Sequence, residues 1–128
     1  MLTGLSILVA EDNSLNQRIV NFILQKQHAE VVAVVNGSDA VEQVRNKDFD
    51  VILMDLQMPE MDGYEATSYI RQTLKKTVPV IAMSASNFEE DIKKCMQVGM
   101  NTCISKPFEP ADLCELILKV LRDQKTTT

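Results

Sequence analysis

A chain of 128 residues, 45% of them hydrophobic, can bury one sizeable core and is too short for two ordinary domains. Eighteen acidic residues against thirteen basic ones leave a net charge of -5, which argues against a surface that reads the phosphate backbone of nucleic acid. No basic segment leads into an apolar leader-like run and no stretch of about 18 apolar residues could span a bilayer, so a cytoplasmic location without membrane insertion is expected.

The predicted elements alternate along the chain. Residues 5–10 (LSILVA) form a continuous apolar run that reads as a buried strand. Residues 14–27 follow with helical spacing, Ser14 serving as N-cap and Ile19, Phe22 and Ile23 as the core stripe. His28 falls at the turn, where a residue with positive φ is suited and histidine tolerates it. A strand over 30–35 leads through Asn36-Gly37 into a helix carrying Ala40, Val41 and Val44. The third strand covers 51–54, and after Pro59 and Asp62-Gly63 a helix places Ala66, Thr67, Ile70 and Leu74 on one side. A strand over 78–83 precedes a helix with Phe88, Ile92, Cys95 and Met96, which stops at Gly99. The last unit is a strand over 102–105 and a helix from Pro110, with Leu113, Leu116, Ile117, Val120 and Leu121 toward the core. Residues 1–124 form the domain, and 125–128 are expected to fray as a flexible tail.

Five βα units joined by short connections imply an α/β fold of three layers, a parallel sheet with helices on both faces, because right-handed crossovers leave few other arrangements. Four of the strands end on polar groups: Glu11-Asp12, Asp55, Ser84 and Lys106. Packing gives no reason for such residues there, and the ends of parallel strands are where open α/β sheets bind ligands. Three neighbouring carboxylates repel by roughly 4 kcal/mol per pair at 4 Å, so Glu11, Asp12 and Asp55 must bind a cation or hold a proton. An oxygen-only donor set favours a hard divalent ion such as Mg²⁺. A carboxylate beside such a cation can attack phosphorus, with Asp55 as the candidate nucleophile and Lys106 and Ser84 to answer the charge that builds on the phosphoryl oxygens. Cys95, Cys103 and Cys114 lack the spacing of a zinc or redox site and read as buried reduced thiols.

The segments ILVAEDNSLNQ, NGSDAVEQV, FDVILMDLQMPEMDGYEAT, VIAMSA and CISKPF, in this order and at these separations, resemble the receiver domain of two-component response regulators over nearly the whole chain. Their wording is most similar to receivers of hybrid histidine kinases. The resemblance implies a flavodoxin-like 2-1-3-4-5 strand order and a cis Lys106-Pro107 bond. It implies that Asp55 accepts a phosphoryl group from a partner's phosphohistidine, with Mg²⁺ held by Asp12, Asp55 and the main-chain carbonyl of Gln57, and by Glu11 through a water. Ser84 and Lys106 would bind the phosphate oxygens, Ser84 moving as the switch. Partners implied are a histidine kinase or histidine phosphotransfer domain and a downstream output protein. Cys103 departs from the pattern, since an aromatic residue usual at that position would follow Ser84. A smaller rearrangement of the last two helices and the last strand, or a role in passing phosphate onward, is expected instead.

Other readings compete. Glu11-Asp12 could be a helix N-terminal acidic pair, and an Asp-based phosphohydrolase would use similar groups but carry an acid/base Asp where Gln57 stands. A receiver-like interaction module independent of phosphorylation is the alternative from another class. Met58 and Met61 read as gap fillers, because a thioether suits soft ions. Leu15, Val20 and Leu24 widen the apolar surface of the first helix and are expected to dock a helical phosphodonor, with three-layer packing as the competing account.

Overall fold

The computed structural model describes residues 2–85 and 88–126, without the side chains of Phe88, Lys125 and Thr126. Strands and helices alternate as β1 (Ser6–Ala10), α1 (Ser14–Lys26), β2 (Glu30–Val34), α2 (Gly37–Asn46), β3 (Val51–Asp55), α3 (Gly63–Gln72), β4 (Val80–Ser84), α4 (Phe88–Val98), β5 (Thr102–Ser105) and α5 (Pro110–Thr126). All neighbouring strands pair in parallel in the order β2-β1-β3-β4-β5, the order implied by the resemblance.

Side chains alternate across the sheet and divide the core in two. Leu8, Ala10, Ile52, Met54, Val80 and Ala82 pack under α2, α3 and α4, whereas Ile7, Val9, Val51, Leu53, Ile81 and Met83 pack under α1 and α5. Because both faces are covered, β3 and β4 are buried at every residue, which is why they read as unbroken apolar runs. Among the described residues no helix is long and apolar enough to cross a membrane.

Several sequence expectations need correction. The N-cap of α1 is Asn13, whose extended backbone lets its side chain accept from the Asn16 amide at 2.9 Å, while Ser14 is already helical. Val20 and Leu24 are buried at 3% and 0% exposure in the core under α1, and Ile19 and Phe22 are 49% and 66% exposed. The helix is rotated relative to the expected stripe, so Val20 and Leu24 cannot dock a partner. Strand β4 begins two residues later than expected, Met96 faces solvent, and α5 runs on to Thr126. Residues 127 and 128 and the side chain of Phe88 lie outside the described residues. His28 has a φ of 68° at the end of α1, as expected.

Two features fix the elements that bear on the site. At Gly63 a Cβ would collide with the Asp55 carbonyl, so the missing side chain lets the N-terminus of α3 sit on the end of β3. A capping box between Asp62 and Glu65 starts that helix. Arg71, near the other end of α3, donates to the carbonyls of Gly99 at 2.9 Å and Lys76 at 3.0 Å and to Asn101 Oδ1 at 3.2 Å, fastening the C-terminal end of α4.

Candidate functional site

The crevice lies where strand order reverses, β1 being flanked by β2 and β3, so the loops after β1 and β3 part and leave the strand ends open. Glu11 follows β1 directly, its amide donating to the Val34 carbonyl at 3.1 Å. Gln17 of α1 holds this loop by donating to the carbonyls of Glu11 at 3.1 Å and Val34 at 2.9 Å. Asp55 is the last residue of β3, and the Gln57 amide donates to its Oδ1 at 3.2 Å. Lys106 is carried over the strand ends by its amide, which donates to the Ser84 carbonyl at 2.7 Å, and the Lys106-Pro107 bond that follows is cis.

These placements bring Glu11, Asp12 and Asp55 together, with one carboxylate oxygen of each lying within 4.8 Å of the others. Glu11 and Asp55 are buried, and Asp12 is exposed at the mouth. Lys106 Nζ donates to Glu11 Oε2 at 2.7 Å and lies 3.3 Å from Asp55 Oδ2. Burial first, then the hydrogen bond and charge of Glu11, push the Asp55 carboxyl up to about 6 against the pull of Lys106. Burial pulls the Lys106 ammonium down, but Glu11 and Asp55 outweigh it and leave the group above the ordinary lysine value. Three carboxylates gather there around Lys106, and burial together with the neighbouring Glu11 makes the charged form of Asp55 costly. The donors are all hard oxygens, so the site fits a hard divalent cation.

Ser84 ends β4 with its side chain buried, and its hydroxyl donates to Asp91 of α4. Cys103 is buried beside Cys95, and burial with the neighbouring Cys95 raises its thiol to about 12. Gln57 is exposed at the rim, while Met58 and Met61 pack into the core under α2 and α3. Leu15 is 64% exposed and stands outside the crevice on α1. Sequence reasoning missed Gln17, Tyr64 and Asp91. Gln17 falls within the quoted motif, whereas nothing in the local pattern distinguishes Asp91 from the other first-turn acids of α4, Glu89 and Glu90.

A doubly wound sheet with an acidic, lysine-covered crevice at its switch point defines the class of protein. The response regulator receiver domain family model matches residues 7–118, and the chain belongs to that family. It is 38% identical over 120 residues to hybrid signal transduction histidine kinase L and 44% identical over 108 residues to hybrid signal transduction histidine kinase H, both of Dictyostelium discoideum. Those alignments take in 88% and 80% of this chain but only 7% and 8% of the two kinases. Among solved structures, the receiver domain of sensor histidine kinase PA1611 from Pseudomonas aeruginosa matches with a TM-score of 0.85 at 37% identity, over 93% of this chain and 98% of that one. That structure has a magnesium ion coordinated in its active site cleft.

Proposed function

We propose that Asp55 accepts a phosphoryl group from the phosphohistidine of a histidine kinase or histidine phosphotransfer domain, in a cytoplasmic two-component pathway or phosphorelay, and that the modified domain switches its protein contacts. The convergence of Lys106, 3.3 Å from Asp55, with the three-carboxylate cluster is the observation that carries this reading. An Asp55 carboxylate oxygen bonds to phosphorus as the P–N bond breaks. The bonding pair returns to the imidazole nitrogen, and the ring leaves neutral when its other nitrogen carries the proton.

Asp12, Asp55 and the Gln57 carbonyl would hold Mg²⁺, with Glu11 acting through a water, and the ion when bound would neutralise charge on the phosphoryl oxygens. Lys106 and Ser84 supply an ammonium and a hydroxyl to those same oxygens. The same groups govern loss of the phosphoryl group to water, so the domain catalyses its own modification and its reversal without turning over an external substrate.

The donor docks on α1. Leu15, Ile19, Phe22 and Ile23 line a groove of about 820 Å³ with Pro110 and Ala111. Ile19 also borders a second cavity of about 370 Å³ that reaches Lys106 and Glu11. A helical partner seated on the groove therefore lies beside the cavity that reaches Lys106 and Glu11.

The test is phosphorylation by a small acyl phosphate with Mg²⁺, read by intact mass. One phosphoryl group should add to the wild type and none to Asp55→Asn. Labelling that persists in the variant contradicts the assignment, and no labelling of the wild type favours an interaction module.

A further inference from the structure

Ser84 does not hold its hydroxyl ready for the cleft. Its Oγ donates to Asp91 Oδ2 at 2.5 Å, linking the end of β4 to the first turns of α4. The other oxygen of the same carboxylate, Oδ1, accepts from the Tyr64 hydroxyl of α3 at 3.2 Å. Lys94, one turn further along α4, stands over the Tyr64 ring at 4.4 Å. Three elements thus meet at one carboxylate, and Tyr64, Asp91 and Lys94 line the same cleft as Asp55 and Lys106.

A serine hydroxyl has one proton to give. While that proton goes to Asp91 it cannot go to a phosphoryl oxygen on Asp55, and a 2.5 Å bond lies at the short, strong end for a hydroxyl donating to a carboxylate. Beside β4, the thiol of Cys103 is turned to Cys95. Among the described residues, Ser84 links to a surface helix by its side chain through Asp91.

We propose that Asp91 is a positioning residue that latches Ser84 in the unphosphorylated domain, and that phosphorylation takes the hydroxyl from Asp91 and so uncouples α4 from β4. This rests on the reading of Asp55 as phosphoacceptor. Tyr64 keeps Asp91 aimed at Ser84 from the α3 side. Occupation of Asp55 and the Ser84–Asp91 hydrogen bond become mutually exclusive uses of one proton.

The test is binding of beryllofluoride, a phosphoryl mimic, in the presence of Mg²⁺, followed by NMR of the full chain. Asp91→Ala should bind about tenfold more tightly than the wild type, which corresponds to about 1.4 kcal/mol. In a Ser84→Ala background the same change should move the affinity by less than about twofold, because the shared partner is gone. Asp91→Asn keeps the shape and a weaker, neutral acceptor, and should fall between wild type and alanine; it carries the test should the alanine variant fail to fold. Unchanged or weaker binding by both Asp91 variants overturns the latch. A gain that persists in the Ser84→Ala background also overturns it, since Asp91 would then act through its charge. If the wild type does not bind beryllofluoride, or if Asp55→Asn binds it as well, the phosphoacceptor reading fails and the latch with it.

Discussion

Along β3, Val51 to Met54 are apolar and wholly buried, and one residue later Asp55 is buried as well but carries a carboxyl pushed up to about 6. The two regions are covalently continuous and energetically opposed. The middle of the strand stabilises the fold by removing hydrocarbon from water, whereas its end crowds like charges that the same core must hold in place. The price of a reactive strand end is met by the strand behind it, and the contrast can be broken by changing one side at a time.

The largest effect belongs to the core. Leu53→Ala should destabilise the domain by about 2–5 kcal/mol in denaturant unfolding, and Leu24→Ala, equally buried, by a similar amount. A loss below about 1 kcal/mol at either would mean that the strand middle and α1 are not packed as described. Next comes the cation: at about a hundred times its dissociation constant, Mg²⁺ should stabilise the wild type by about 2.7 kcal/mol, reversibly on chelation, with no such gain in Asp55→Asn.

Smaller still is the effect of Asp55→Asn without metal, which should raise stability at neutral pH by about 1–2 kcal/mol once solvent screening at the cleft mouth is allowed for. The sign follows from linkage. The carboxyl titrates near 6 when folded and near 3.8 when unfolded, so between those values the native state holds more of the proton. Stability from this group is therefore present at low pH and is lost as pH rises through about 6. Unfolding followed from pH 3 to 8 should show that descent in the wild type minus the variant; a difference rising with pH would refute it. The smallest stability change, within about 0.5 kcal/mol, is expected for Phe22→Ser on the exposed face of α1. The same variant should slow phosphotransfer from a protein donor and leave labelling by a small acyl phosphate unchanged. Equal loss with both donors would count against docking there.

The strand-end residues were legible in the sequence because a polar group that closes an apolar run has no packing explanation, and four such endings in parallel strands gather at one edge of the sheet. The orientation of α1 was not. Leu15, Ile19 and Phe22 form one stripe at helical spacing and Val20 and Leu24 form another, and periodicity alone does not say which stripe meets the sheet. Burial of the second stripe decides it. Asp91 was out of reach for a different reason: its meeting with Ser84 and Tyr64 depends on how α4 settles against β4 and α3, a tertiary arrangement that no local spacing encodes.

Arg71 lends the latch its geometry. At its far end α4 is tied through Gly99 to a guanidinium that also grips Lys76 and Asn101, while among the described residues its first turns meet the end of β4 through the Ser84–Asp91 hydrogen bond. A rod pinned at one end and hooked at the other does not slide when the hook opens. It pivots, so residues near the start of α4 should travel furthest and those near Gly99 should scarcely move.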